Sequence, residues 1–414
     1  MTLNESIHYQ NKQLYIDNIA VSDVITHVGS PTYIYSLPRA IHNYNRIASA
    51  FEHLNPHIHY SAKANGSLRV LKTLVDSGAG IDCVSAGEIF KALKAGASAR
   101  DIVFAGVGKT VNEIQFALEQ GVGWFNVENI LELDYINQIA MNLGLSSIKI
   151  ALRLNPKVTA NTHPYIATGH GGAKFGLTAQ AIAHILNHQE DWANLNFAGL
   201  HLHVGSQLGD TSATTKGIQI ARDLIKDHPS VDTLNIGGGI PVSYGEADLP
   251  SVEAFAKAIT PLVESYKLIL EPGRSIIADA GILVTCLLYI KQQAAQTFYI
   301  VDGSMTEFIR PMLYQAKHQI VPVKQTNSDS QVVQVVGPVC ETTDVLAKDV
   351  PLPIMQIGDM LAILTTGAYG AVMASSYNAR PRPAEIVIAE DGNNWHIARK
   401  RETYDDLIRD ELLD

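Results

Sequence analysis

Residues 57–127 read HIHYSAKANGSLRVLKTLVDSGAGIDCVSAGEIFKALKAGASARDIVFAGVGKTVNEIQFALEQGVGWFNV. Four short apolar segments punctuate this stretch: His57–Ser61, Ile81–Val84, Ile102–Ala105 and Trp124–Val127. They begin about 21–24 residues apart, the span of one strand, one helix and two short loops. Between them lie runs such as Ala86–Ala95 (AGEIFKALKA) and Val111–Glu119, whose apolar residues recur at i, i+3 and i+4. Gly96 and Gly121 close these two runs, where a helix takes its C-terminal cap.

The pattern continues downstream. Ile148–Leu154, Phe197–Val204, Val231–Ile236 and Lys267–Leu270 bring the segments to eight. Eight βα units predict an α/β fold built on a closed (β/α)8 barrel of TIM type. An open doubly wound sheet is the alternative, but no dinucleotide fingerprint opens the first unit. After Arg274 the texture changes. Ile276–Lys291, Gln296–Val301, Gln331–Val336 and Met360–Leu364 read as strands with few helices between them. Ala384–Ile388 and Trp395–Arg399 read as a hairpin turned at Asp391–Asn394. This predicts a second, mostly antiparallel β domain, sandwich- or barrel-like. The first 30 residues (LYIDNIAVSDV) alternate like strands and are expected to join it. The expected division is a barrel over 35–275 and a β domain over 1–34 and 276–414.

Composition agrees with two domains. The chain has 414 residues, beyond the roughly 250–300 at which one core stops growing. Hydrophobic residues make up 46% and charged residues 17%, which excludes a disordered chain. The net charge of −10 argues against a nucleic-acid partner. Cys83, Cys286 and Cys340 are too few for a disulfide framework and suit a reducing cytoplasm. The opening MTLNESIHYQNKQLYID has no basic stretch before an apolar run, so no signal peptide is expected. The longest apolar run, Ala280 to Ile290, is shorter than the about 20 residues that span a bilayer, so no membrane association is expected.

The residues that could do chemistry cluster at strand ends, where barrel enzymes place their sites. Lys63, in YSAKAN, follows strand one among small neighbours, where partial desolvation would favour an amine nucleophile. The alternative is a lysine that snorkels to solvent. His201 and His203, in HLHVGSQ, share one side of strand six by period 2. They could be satisfied core residues, a metal pair completed by His163 or His170, or a histidine placed against a flat cofactor. Asn235-Ile236-Gly237-Gly238-Gly239 follows strand seven and could cradle a phosphate with its backbone N–H groups, or be a plain turn. Glu271-Pro272-Gly273-Arg274 ends strand eight as an ion pair, or as a carboxylate for a ring nitrogen beside an arginine for a phosphate. Ala105-Gly106-Val107-Gly108-Lys109-Thr110 fails as a P-loop, because Val103 stands where the first glycine belongs, and reads as a strand-to-helix turn. Cys340, in GPVCETTD, is a small buried hydrophobe or a working thiol. Together, a lysine, a flat neighbour, a phosphate cradle and a carboxylate are what pyridoxal phosphate needs.

YSAKAN, DCVSAGE, HLHVGSQ, NIGGG, EPGR, GPVCETTD and GAYG, in this order, resemble the fold-type III pyridoxal-phosphate decarboxylases over nearly the whole chain. Within that group the chain is most similar to the diaminopimelate decarboxylases. The resemblance implies that Lys63 holds pyridoxal 5'-phosphate as a Schiff base, with Asp82 near it. It implies that His203 stacks on the ring and Glu271 binds the ring nitrogen. Ser206, Gly238, Gly239, Arg274 and Tyr369 would hold the phosphate, and Cys340 would return the proton. It also implies a head-to-tail homodimer in which Cys340 and Glu341 reach the partner's site.

A substrate ending in a second amino-acid group needs a distal carboxylate partner and an ammonium partner. Arg310 and Tyr314, with Arg274 and Tyr369, suit the first, and Glu341 the second. A surface or interface salt bridge is the alternative for Arg310. Two other functions stay open: a decarboxylase for another basic or polyamine-type amino acid, and a metal-dependent hydrolase using His201 and His203. One departure stands out. Thr343 replaces a glycine usual in the family, at a cost if that position needs positive φ.

Overall fold

The computed structural model describes residues 3–159, 168–169, 172–245 and 249–413. Its described residues fall into two compact units. One takes residues from 43–242 and 248–275, the other from 1–42, 243–247 and 276–414.

The first unit is a closed barrel of eight strands: β1 (His57–Ser61), β2 (Gly80–Cys83), β3 (Ile102–Phe104), β4 (Trp124–Val127), β5 (Ile148–Arg153), β6 (Leu195–His201), β7 (Thr233–Asn235) and β8 (Lys267–Leu270). Every neighbouring pair is parallel, and β8 closes on β1. The open doubly wound sheet is thereby excluded. Tyr60, Ile81, Val103, Phe125, Leu152, Leu200 and Leu234 are all buried on these strands. Helices Ala86–Lys94 and Val111–Gln120 follow β2 and β3. Thr110 and Glu113 form a reciprocal capping box at the start of the second, and Gly121 ends it at φ +75.

The strand ends differ from expectation at one place that matters. Strand six was expected to run to Val204 but β6 stops at His201, so His203 lies in the following loop. The HVGSQ segment turns away there to meet the glycine turn after β7, with Gln207 at positive φ.

The second unit holds a nine-stranded sheet. Its main path runs Val345–Pro353, Ser330–Val336, Gln296–Val301, Gly281–Gln293, Thr32–Ser36, Ala384–Ile388, Trp395–Arg399. Met360–Ile363 joins it against Gly281–Gln293 and pairs in turn with Ile320–Pro322. Two of its pairings are parallel, Gln296–Val301 with Ser330–Val336 and Thr32–Ser36 with Ala384–Ile388; the rest are antiparallel. Thr32–Ser36 crosses residue 35, where the barrel was expected to start, and stands in the middle of this sheet.

Two further expectations need correction. The first 30 residues form a three-stranded sheet (Ile7–Gln10, Gln13–Ile16, Ile19–Ala20), but Val21–Val28 is a helix. Val21, Val24 and Ile25 are its buried residues, the i, i+3, i+4 stripe of a helix, and Gly29 at φ +77 stops it. These side chains pack with Ile7, Leu14, Ile16, Ile34, Ile282 and Ile386 in one core. The strand expected from Ile276 begins only at Gly281, because Arg274–Ile277 and Ala278–Ala280 are helical turns.

Candidate active site

The charged and polar residues of the barrel gather at the C-terminal ends of its strands, and register puts them there. Ser61, the last residue of β1, stands opposite Asp82 on β2. His201, the last residue of β6, stands opposite Arg153 on β5 and Asn235 on β7. Glu271 follows directly on β8.

Lys63 sits in the turn Ala62–Ala64, and its Nζ lies 3.4 Å from Oδ2 of Asp82. The same oxygen accepts from the Ser61 hydroxyl. Asp82 is fully buried, while the Lys63 side chain is 42% exposed. The amine is thus less desolvated than its small neighbours suggested. Ala62 and Ala64 bury themselves and leave the lysine to project outward. Burial pushes the Asp82 carboxyl above its usual range, with the Lys63 charge opposing it.

Glu271 is buried. Its Oε1 accepts from the side-chain amides of Asn126 (2.9 Å) and Asn235 (2.6 Å), and His201 Nε2 lies 3.4 Å from Oε2. Burial raises its proton affinity, but His201, Lys63 and the Asn235 amide outweigh that and hold the carboxyl well below the usual carboxylate range. Asn126 and Asn235 had no assigned part in the sequence. An amide carries no charge to announce itself, and only closure of the barrel aims both at one oxygen.

The glycine turn after β7 is a narrow concavity. Gly237 and Gly239 have φ of +66 and +95. A Cβ at Gly237 would stand 2.6 Å from Nδ1 of His203, one at Gly238 2.7 Å from the Glu271 carbonyl oxygen, and one at Gly239 2.9 Å from Leu208. The Gly238 N–H points to Nδ1 of His203 at 3.4 Å. Burial first, then the cations of Lys63 and Arg153, push the His203 imidazole down to about 3. Arg274 reaches the Ser206 hydroxyl through Nε and Nη2, both at 3.3 Å. Lys63, Asp82, His203, Ser206, Gly238, Gly239, Glu271 and Arg274 thus belong to one unit and one end of the barrel.

Four further residues expected at the site, and Tyr369, lie in the β unit. Arg310, 6% exposed, opens the helix Arg310–Tyr314. Its guanidinium faces the rings of Tyr314 (5.6 Å), Tyr244 (5.7 Å) and Tyr369 (5.9 Å). This burial excludes the surface form of the salt bridge that was its alternative reading; it does not bear on the interface form. Cys340 is exposed, which removes the packing reading of that thiol. Glu341 accepts from the Tyr377 hydroxyl at 2.7 Å. Their loop is pinned by buried Asp344, which accepts from the backbone of Met305 and Val339. Thr343 is not among the residues with positive φ, so threonine costs no left-handed strain there.

Lys109 of the P-loop-like segment is structural. Its Nζ donates to the carbonyls of Gly106 (2.9 Å) and Asn126 (2.7 Å) and to Glu132 (2.5 Å). Among the described residues no group of three or more His, Cys, Asp or Glu side chains is arranged to hold a metal. His163 and His170, the possible third and fourth ligands, lie outside the described residues. No helix among the described residues is long and apolar enough to cross a membrane. A groove of about 850 Å³ in the β unit is lined by Pro311, Gln315–Val321 and Val345–Pro351, and holds none of the expected site residues.

The model of the family described as "Pyridoxal-dependent decarboxylase, pyridoxal binding domain" matches residues 37–278. The chain belongs to the pyridoxal-dependent decarboxylases. Its relatives in that family match it end to end. The diaminopimelate decarboxylase of Neisseria meningitidis serogroup A is 38% identical over 96% of this chain and 99% of its own length. The structure of diaminopimelate decarboxylase from M. jannaschii in complex with L-lysine superposes with a TM-score of 0.93 at 33% identity, covering 99% of this chain and 98% of that one. The Helicobacter pylori enzyme, also complexed with L-lysine, gives 0.89 at 37% identity, covering 94% of this chain and 98% of its own. For this decarboxylase the site residues fit the cofactor of the family. A glycine cradle that any Cβ would fill, an arginine and hydroxyl beside it, a buried carboxylate and an amine suit a phosphorylated pyridine aldehyde. Two buried polar atoms without hydrogen-bond partners among the described residues, Asp82 Oδ1 and His201 Nδ1, lie at the same strand ends.

Proposed function

We propose that this decarboxylase converts meso-2,6-diaminopimelate to L-lysine and CO2 with pyridoxal 5'-phosphate, the last step of lysine biosynthesis. The observation that carries the reading is the barrel-end set of Lys63–Asp82, Glu271 and the Gly237–Gly239 turn, in a chain whose full-length relatives are diaminopimelate decarboxylases.

When bound, pyridoxal phosphate supplies an electron-accepting ring that takes up the electron pair left by the departing carboxylate. Lys63 would hold the cofactor through its amine, with Asp82 beside it to share the proton. Glu271, kept ionised, would accept the N–H of the ring nitrogen. His203, kept neutral, would lie against the ring face without adding a charge. Backbone N–H groups of Gly238 and Gly239, with Ser206, Arg274 and Tyr369, would hold the phosphate. Arg310, ringed by tyrosines, would take the distal carboxylate with Tyr314, and Glu341 the distal ammonium. Cys340, exposed, would return a proton to the carbon that lost CO2. The chain would act in the cytoplasm as a homodimer, with Cys340 and Glu341 given to the partner's site. An active holoenzyme sedimenting with the mass of one chain would remove that part.

The test is release of CO2 and lysine from meso-diaminopimelate by the purified protein with added pyridoxal phosphate, beside a Lys63→Ala control. Equal amounts of both products from the wild type, and none from the variant, are expected. Normal turnover by Lys63→Ala would sink the assignment. A wild type that binds the cofactor but yields no lysine would leave the cofactor reading and move the substrate to another diamino acid.

A further inference from the structure

The two oxygens of Glu271 are served differently. Oε1 accepts from Asn126 and Asn235, while Oε2 faces only His201 among the contacts the side chain makes with charged groups at ion-pair distance. His201 is 2% exposed and ends β6, in register with Arg153 on one side and Asn235 on the other. Among the described residues its Nδ1 has no hydrogen-bond partner, and its Nε2 meets only Oε2 of Glu271, at 3.4 Å. A buried imidazole so placed costs roughly 1–3 kcal/mol, which asks for a reason. No metal-holding cluster among the described residues supplies one.

We propose that His201 is a positioning residue for the decarboxylation, holding Glu271 ionised with Oε2 turned toward the ring nitrogen of the cofactor. This rests on the reading of Glu271 given above. The chemistry needs it because an ionised carboxylate only accepts hydrogen bonds, whereas a protonated one would donate and let the ring nitrogen lose its proton.

The neighbouring charges leave the task to His201. The groups that act on Glu271 are Lys63 from the turn after β1, Asp82 on β2, His59 on β1, His203 after β6 and His201 itself. Lys63 stands at 3.4 Å from Asp82, so its charge is shared with a second buried carboxylate. Burial holds His59 and His203 neutral, at about 4 and about 3. His201 is the remaining donor, and it is the one at Oε2.

Two variants test this, His201→Phe, which removes the donor, and His201→Gln, which keeps an N–H. In the holoenzyme His201→Phe is expected to lower kcat by about tenfold or more, with KM and cofactor affinity moved less than about threefold. His201→Gln should recover part of the loss. A second readout needs neither turnover nor cofactor: infrared titration of the Glu271 carboxyl in the cofactor-free protein, assigned with Glu271→Gln. It should protonate about one pH unit or more higher in His201→Phe than in the wild type. An unmoved titration would overturn the proposal, as would a parallel loss of kcat, cofactor affinity and Tm in both variants, which marks mere packing. If His201→Phe does not fold, the titration of His201→Ala, which also lacks the donor, decides, and no upward shift there counts against the proposal. A visible cofactor band unchanged by Glu271→Gln would instead remove the reading of Glu271 while leaving the titration result standing.

Discussion

At the scale of single residues the glycine turn after β7 can be separated into its causes. Gly237 combines a left-handed φ of +66 with a Cβ position 2.6 Å from His203 Nδ1. Gly96 has the same kind of backbone, φ +97, but nothing within 4 Å of its Cβ position. An alanine at either site bears a strain of about 1–2 kcal/mol, but only Gly237→Ala must also move a side chain that faces the proposed cofactor. Gly237→Ala is expected to weaken pyridoxal phosphate binding about tenfold or more, while Gly96→Ala lowers Tm and leaves affinity within about twofold. Titration of the cofactor by fluorescence quenching distinguishes them, and equal affinities for the two variants would refute the cradle. Legibility follows the same division. Lys63, Asp82, Glu271 and Arg274 stand out in the sequence because charge at a strand end is rarely idle. Asn126 and Asn235 do not, since their meaning depends on which oxygen they meet across the barrel. The exposure of Lys63 was likewise misjudged, because small neighbours in sequence say nothing about which way a long side chain leaves the turn.

At the scale of elements, regular spacing made the barrel readable: three of its strands, β1, β4 and β8, have the bounds the sequence suggested, and β6 fails where a loop keeps strand-like residues. The helix Val21–Val28 was missed because a short run of β-branched residues carries both periods at once, and only burial of Val21, Val24 and Ile25 chooses between them. The connection between β3 and β4 shows how such elements are locked. Lys109, with 1% of its side chain exposed, ties the loop carbonyl of Gly106 to the end of β4 at Asn126 and to Glu132 in the first turn of Ile130–Asn142. Glu132 in turn accepts from the Glu128 N–H. Removing only the cation strands a buried carboxylate. Lys109→Met is therefore expected to destabilise the barrel by about 3–5 kcal/mol, with most of the loss restored in Lys109→Met/Glu132→Gln. Denaturant unfolding followed by far-UV dichroism measures both, and a double variant no better than the single one would show that the lysine acts through its carbonyl contacts alone. Because Asn126 also serves Glu271, the single variant should lose kcat before it loses fold.

At the scale of the whole molecule, a chain of net charge −10 with 15 histidines gains protons steeply below neutrality, and the buried groups decide which state gains more. His59 is 5% exposed and pushed from 6.5 down to about 4, by burial above all, with Glu271 and Asp101 opposing and His57 assisting. The folded barrel therefore keeps this imidazole neutral while the unfolded chain protonates it. Its contribution is intact above pH 6.5 and is lost as pH falls from there toward about 4, the reverse of a histidine that gains a carboxylate partner. Asp82 and Glu132, whose carboxyls burial raises, act in the opposite sense, adding stability as pH falls through their folded values. The total acid response is a contest between the two kinds of group, and only a difference isolates one of them. Replacing the imidazole by a side chain that cannot titrate removes the histidine's share. The stability of the wild type relative to His59→Gln should fall by about 1.4 kcal/mol for each pH unit below 6.5, roughly 2 kcal/mol by pH 5. Urea unfolding of the cofactor-free protein at pH 7.5, 6 and 5 reads that difference. A gap between the two proteins that stays constant across the series would mean that His59 is charged inside the barrel, and that burial does not control its proton.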